Sequence, residues 1–371
     1  MTRFVIELAK PSDDLALQQL GPESILVSSG VAVSFRHHPS FFQSVRIQGA
    51  VSQIGVVRDR QTEAIVGWAV RSIRAAYING RAANLGYLGG LWLAPAVRSG
   101  TLLARLFQSF YQLHRDRQTQ LYLTTIAEQA YQVRQLLTSG RPPLPHYDDW
   151  GRYYALGIRV PMAQSRPSGL IEVVQADELA LPQVEQCLSQ QGTRRQFFPC
   201  FVANDFLSGL PHLRDLRPKD FYLALERGHL VGVAALWNQT AFRQLVLEGY
   251  RGWRRLCHGV ARWMRHYLGQ PPEFQPGQEI PYRFLSFLAI QNDRPDVVRT
   301  LLATLGQQAA EAGARMVLIG LHEKDPLLPE LWRYRPYVHC RRLYLVYWDD
   351  GIEFRHSLQE DLVPYLELAT L

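Results

Sequence analysis

The chain has 371 residues, 47% of them apolar, which exceeds what one core absorbs and makes two domains the natural expectation. No window approaches the roughly 18 to 20 consecutive apolar residues of a bilayer span, and MTRFVIELAKPSDD turns acidic too early for a secretory signal; a cytoplasmic protein with no membrane span is expected. The net charge of +7 rests on arginine, since Lys10, Lys219 and Lys324 are the only lysines, and planar guanidinium forks suit an anionic partner such as a phosphorylated ligand.

In chain order, GVVRDRQTEAIVGWAVRSI (55–73) reads as strand, polar turn and strand. LGYLGGLWLAP is a further strand, and it runs through an Arg-Ser-Gly turn into the helical pattern SGTLLARLFQSFYQLHRDR. LYLTTI (121–126) is another strand, a segment with an apolar helical face follows, and RYYALGIRV (152–160) closes the series. The polar, Pro- and Gly-containing VPMAQSRPSGLIEVV then marks a boundary near 165, giving domains 1–165 and 166–371.

The second half repeats this order. FYLALERGHLVGVAALWN (221–238) is a hairpin whose Val231-Gly232 matches Val66-Gly67, and YRFLSFLAI, PDVVRTLLATLGQQAAEAG, MVLIGL (316–321) and RRLYLVYW (341–348) follow as strand, helix, strand and closing strand. Both long helices carry Thr-Leu-Leu-Ala, at Thr101 to Ala104 and Thr300 to Ala303. Only the second copy contains YRGWRRLCHGVARWMRHYL (250–268), read as an inserted amphipathic helix that covers the sheet with Trp253, Leu256, Val260, Trp263 and Met264, so a nucleic-acid partner is not expected. Cys187, Cys200, Cys257 and Cys340 are too widely spaced for a metal knuckle or a disulfide framework; free thiols and no metal are expected.

Hairpins followed by strand–helix–strand crossovers give an α/β fold with a mixed sheet in each half. The order strand–helix, hairpin, strand–turn–helix, strand–helix, strand, found twice, resembles the GCN5-related N-acetyltransferase (GNAT) superfamily in its tandem form. The resemblance implies two tandem mixed-sheet acyl-CoA N-acyltransferase-like domains, with the pantetheine of an acyl-CoA along the edge of Leu91 and Leu93 and its pyrophosphate in the turn that follows.

In that turn, VRSGTL matches the family pattern partly: Gly100 fits the first glycine, but Val97 stands where the family has Gln or Arg, and Leu102 replaces a small residue. Physically, Gly100 lets the backbone approach an anion, Ser99 and Thr101 can donate to it, and Arg98 supplies charge. The counterpart AIQNDRPDVVRT has no glycine and puts Asp296 where a pyrophosphate would lie, so the first half is expected to hold the single acyl-CoA.

Acyl transfer to an amine needs an acid for the departing thiolate and a base for the attacking nitrogen. The resemblance implies Tyr131 as the acid. No carboxylate lies between Leu85 and Pro95, where the family's base is usual, and Glu128 is the nearest substitute. HYDDW (146–150) and LHEKDP (321–326) gather carboxylates and histidines without metal spacing and are expected to be solvated loops. The expected function is transfer of an acetyl group from acetyl-CoA, or a related acyl-CoA, to a small-molecule or peptide amine; the alternative is a non-catalytic acyl-CoA-binding or regulatory protein.

Overall fold

The computed structural model describes residues 3–20, 26–28, 30–98, 101–162, 169–251 and 274–371. In the first repeat, strand β1 (Phe4–Leu8) leads to helix α1 (Asp14–Gln19), strands β2 (Leu26–Ser28) and β3 (Val31–Arg36), and helix α2 (Phe41–Val45). Then come β4 (Val51–Asp59), β5 (Ile65–Ile78), β6 (Arg81–Leu93), α3 (Leu102–His114), β7 (Tyr122–Ala127), α4 (Tyr131–Leu137) and β8 (His146–Arg159). The second repeat runs β9 (Ile171–Gln175), α5 (Leu181–Gly192), β10 (Arg195–Gln196), β11 (Phe221–Glu226), β12 (His229–Trp237), β13 (Gln244–Tyr250) and β14 (Tyr282–Ile290). It continues with α6 (Pro295–Glu311), β15 (Met316–His322), α7 (Leu328–Trp332), β16 (Tyr337–Tyr347), α8 (Ile352–His356) and β17 (Val363–Pro364). The sequence segment 250–268 read as an inserted helix lies almost wholly outside the described residues.

The repeats meet in one mixed, 12-stranded sheet ordered β1-β4-β5-β6-β7-β16-β8-β15-β14-β12-β11-β9. The two closing strands are exchanged across its middle. β16 of the second repeat pairs with β7 of the first, Leu343 opposite Thr125, while β8 of the first pairs with β15 of the second, Leu318 opposite Gly157. A closing strand in each repeat was legible in the sequence, but not that each would border the other repeat. Each closing strand covers an edge its neighbour would otherwise expose, which removes two unpaired backbone rows at once.

Ion pairs hold this seam. Arg342 on β16 bonds Asp149 on β8 at 2.6 Å, and Arg355 on α8 bonds Asp148 at 2.6 Å. HYDDW, expected as a loop, is therefore the first turn-free part of β8, with its carboxylates used structurally. The LHEKDP groups are engaged likewise: His322 bonds the Trp150 carbonyl at 2.6 Å, and Asp325 accepts from Arg195 at 3.2 Å.

Helices α3, α4, α6 and α7 lie on one face. In α3 the buried residues Leu102, Leu106, Phe107, Phe110 and His114 recur at helical spacing, and they pack on Val57, Ala69, Leu88 and Tyr122. In α6, with Pro295 at its first position, Val297, Val298, Leu301, Leu302 and Leu305 do the same over β8, β12 and β14. The other face carries α1, α2, α5, the three-stranded sheet β13-β3-β2 and the segment 363–371.

Candidate functional site

β6 and β7 run parallel but pair at only two positions, Gly86 with Tyr122 and Tyr87 with Leu123. Beyond them the strands part, β6 staying with β5 as far as Leu93 opposite Gly67. The parting coincides with a β-bulge: Trp68 faces Trp92 and Val70 faces Gly89, so Gly90 and Leu91 together oppose Ala69. Gly90 takes φ +62°, and a Cβ there would run into the Trp68 ring. The Gly-Gly of LGYLGGLWL is thus a backbone requirement that opens a gap at the carboxyl ends of two parallel strands, where α/β sheets bind ligands.

Every expected site residue that the structure describes lies at this end of the sheet. Leu91 and Leu93 are half-buried on the parted stretch of β6. Arg98 sits in the following turn, exposed, its Nε donating to the Leu93 carbonyl at 3.0 Å. Ser99 and Gly100 lie outside the described residues, and Thr101 is the exposed residue before α3, with no side-chain cap bond. No acidic residue occupies the first turn of α3, which leaves that positive helix end to an anion.

Glu128 follows the end of β7, its carboxylate accepting from Arg342 at 3.2 Å. Tyr131 opens α4 and is 63% exposed, with the Arg134 guanidinium 5.9 Å from its ring centroid. The fold brings Glu128 and Tyr131 to one end of one strand but bonds neither to the other.

The second repeat has the same bulge. Ala235 faces Ser286 and Val233 faces Ala289, so Phe287 and Leu288 oppose Ala234, and Phe287 takes φ +54°. β14 likewise stops pairing with β15 after Phe284 opposite Leu318. This gap is filled from within the chain. The Phe287 N–H donates to Glu367 at 2.9 Å, and the same carboxylate accepts from the Ala369 N–H at 3.1 Å and the Tyr365 hydroxyl at 2.8 Å. Burial raises the Glu367 pKa, and these donors oppose the rise.

The second turn is closed as well. Arg294 donates to both Glu226 oxygens at 2.9 Å and to Asp296 at 3.1 and 2.5 Å, holding both carboxyls below their usual range. Asp293 is bonded by Arg195. A pyrophosphate there would meet carboxylates whose arginines are already paired.

The sequence pointed to the first turn as the expected site and carried no reading of the bulge N–H or of Glu367. Gly89-Gly90 was the available signal for the first bulge; nothing local marks Phe287, whose strained backbone lies against β12 on one side and is bonded by Glu367 on the other. Among the described residues no cluster of three His, Cys, Asp or Glu could hold a metal, and no helix is long and apolar enough to cross a membrane.

Protein-family models and curated proteins give no match to this sequence. Solved structures do. A GCN5-related N-acetyltransferase from Sphaerobacter thermophilus is similar over 100% of this chain and 99% of its own, at 13% identity and a TM-score of 0.58. The GCN5-related glucosamine N-acetyltransferase region of a fungal multi-domain GH3 β-N-acetylglucosaminidase is similar over 92% of this chain and 38% of that one, at 12% identity and a TM-score of 0.58. Saccharomyces cerevisiae N-myristoyltransferase, solved with bound myristoyl-CoA and inhibitors, is similar over 93% of this chain and 80% of its own, at 9% identity and a TM-score of 0.58. At such identities the likeness speaks for architecture, and with the bulge, the parted strands and the repeated element order it establishes that this chain has the fold of the GCN5-related N-acetyltransferases in tandem form.

Proposed function

We propose that the chain is an acyl-CoA-dependent N-acyltransferase that moves an acetyl group from acetyl-CoA to a small-molecule or peptide amine, using the cleft of its first repeat. The observation that carries this reading is the contrast between two equivalent gaps. The gap at Phe287 is occupied by the carboxylate of Glu367, whereas on the parted side of β6, among the described residues, no segment other than β5 is hydrogen-bonded to the backbone from Gly89 to Trp92. The division at about 165 into repeats 1–165 and 166–371 belongs to the same proposal.

The pantetheine lies along Leu91 and Leu93, and the pyrophosphate meets Arg98, Ser99, Gly100 and Thr101 at the start of α3. Phe287 N–H binding a carboxylate oxygen indicates what the equivalent Gly90 N–H does: it faces the thioester carbonyl oxygen and stabilises the charge that develops there. The amine nitrogen attacks the carbonyl carbon, the carbon–sulfur bond breaks, and Tyr131 gives its proton to the thiolate. Glu128 takes the proton from nitrogen through a water, its charge held in place by Arg342.

A second reading, a non-catalytic acyl-CoA-binding or regulatory protein, is favoured by that same ion pair, which engages the one carboxylate offered as base. One experiment tests the common part. Acetyl-CoA should raise the thermal midpoint of the chain by mass action, and Gly100→Glu should abolish the rise by putting a carboxylate where the phosphates lie. No shift for the wild type at millimolar acetyl-CoA, or an equal shift in folded Gly100→Glu, rejects the site. Acetyl-CoA binding without turnover across a broad amine panel selects the second reading.

A further inference from the structure

On the face away from α3 and α6, the small sheet β13-β3-β2 stands over the central strands and leaves a cavity of about 570 Å³, within the size range of small-molecule sites. Strand alternation builds its walls. Val31, Val33 and Phe35 of β3 and Leu245 and Leu247 of β13 point in, while Ala155 and Gly157 of β8, Phe284 of β14 and Leu318 of β15 form the floor.

The charged groups of the described lining have one sign. Arg159 and Arg315 are exposed at the rim, Arg243 is buried inside with its guanidinium 4.2 Å from the Phe35 ring centroid, and no carboxylate lines the cavity among the described residues. His339 on β16 also lines it. It is only 5% exposed, and neither ring nitrogen has a hydrogen-bond partner among the described residues. Burial and nearby Arg341 push its pKa down to about 4, so at neutral pH it presents one donor and one acceptor without charge. An apolar void of this size forfeits its contacts, and an occupant that fills it recovers them.

We propose that this cavity binds an elongated apolar molecule carrying one acidic head group, with its body between Phe35, Leu245, Phe284 and Leu318 and its head between Arg159 and Arg315. The site is separate from the Gly90 cleft and does not depend on acyl transfer. The apolar walls set the body, the described lining holds no carboxylate to repel an anion, and the two rim guanidiniums supply charge-assisted bonds that an alcohol or an amine of the same length does not receive.

The test is calorimetric titration of the full chain with decanoate, decan-1-ol and decylamine below their micellar concentrations. Decanoate should bind saturably, decanol about tenfold or more weaker, and decylamine weaker still. The double variant Arg159→Glu/Arg315→Glu, both at exposed positions, should weaken decanoate about tenfold or more while leaving decanol unchanged. Ala155→Phe should block both by filling the floor; if that variant does not fold, the rim variant decides alone. Absence of saturable decanoate binding at about 1 mM, decanol binding as tight as decanoate, or an unchanged decanoate affinity in the rim variant overturns the proposal.

Discussion

Gly90 and Phe287 hold one position of the repeated fold: each is the first residue of a β-bulge opposite a single alanine, Ala69 or Ala234, and each has positive φ, +62° and +54°. Around them the repeats diverge. At Phe287 the bulge N–H is bonded by Glu367; at Gly90 the strand leads into a turn and a helix start free of acidic residues. The sheet holds the same gap geometry twice and closes the one at Phe287 with its own chain.

Gly90→Val forces a β-branched residue into the left-handed region and drives its side chain into Trp68. Left-handed strain of about 1–2 kcal/mol and overpacking of about 1–3 kcal/mol predict a loss of about 2–5 kcal/mol in urea unfolding, together with loss of the acetyl-CoA thermal shift. An unchanged urea midpoint would show that the bulge tolerates a side chain and that glycine there is not a structural need.

Glu367→Ala strips the bonds from two buried N–H groups, those of Phe287 and Ala369, and from the Tyr365 hydroxyl. At about 1–3 kcal/mol for each buried group left unsatisfied, offset by removing a buried carboxyl, we expect a net destabilisation of about 2–4 kcal/mol. The acetyl-CoA shift should survive, measured at a temperature where the variant is folded, and it should survive Arg294→Ala as well. Loss of the shift in Arg294→Ala alone would mean that the second turn also takes the nucleotide.

How much of this was legible follows from where each signal resides. Period-two and helical patterns, with Thr-Leu-Leu-Ala written twice, are local, so the repeats and both long helices stood in the sequence. The exchange of β8 and β16 did not, because either closing strand offers the same apolar face and ladder to its own repeat as to the other. The candidate turn was readable from VRSGTL, since glycine and helix-start chemistry are local; that the second gap is plugged depends on Glu367, some 80 residues from Phe287 in the chain and adjacent only after folding. His339 carries no signal at all in RPYVHCRRL, for its isolation comes from neighbours on other strands.

That histidine gives the pH dependence a sign. Its folded pKa, about 4, lies below the ordinary 6.5, so between these values the unfolded chain binds more protons than the folded one and stability falls as pH falls. Full expression of one such group is a slope of about 1.4 kcal/mol per pH unit. His339→Gln should flatten the acid limb of a stability curve between pH 6.5 and 4 by part of that slope, leaving the contributions of His212 and His322, which burial also depresses. An identical limb in wild type and variant would place the missing protons elsewhere.

Tyr131→Phe separates catalysis from architecture. The ring is 63% exposed, with the Arg134 guanidinium 5.9 Å from its centroid, so removal of the hydroxyl should alter stability by no more than about 0.5 kcal/mol. The acetyl-CoA thermal shift should also be unchanged, because the phosphate contacts lie at Arg98 to Thr101. Turnover with an accepted amine should fall by roughly 10²-fold, the scale for loss of a general acid, and the fall should appear in kcat. Glu128→Gln is the companion measurement: Arg342 keeps its bond to Asp149 at 2.6 Å, so the variant removes the proposed base without dismantling the seam. A rate unchanged in Tyr131→Phe takes that hydroxyl out of the reaction. A rate unchanged in Glu128→Gln leaves the ion pair with Arg342 as a structural tie, and the amine must then reach the thioester already neutral.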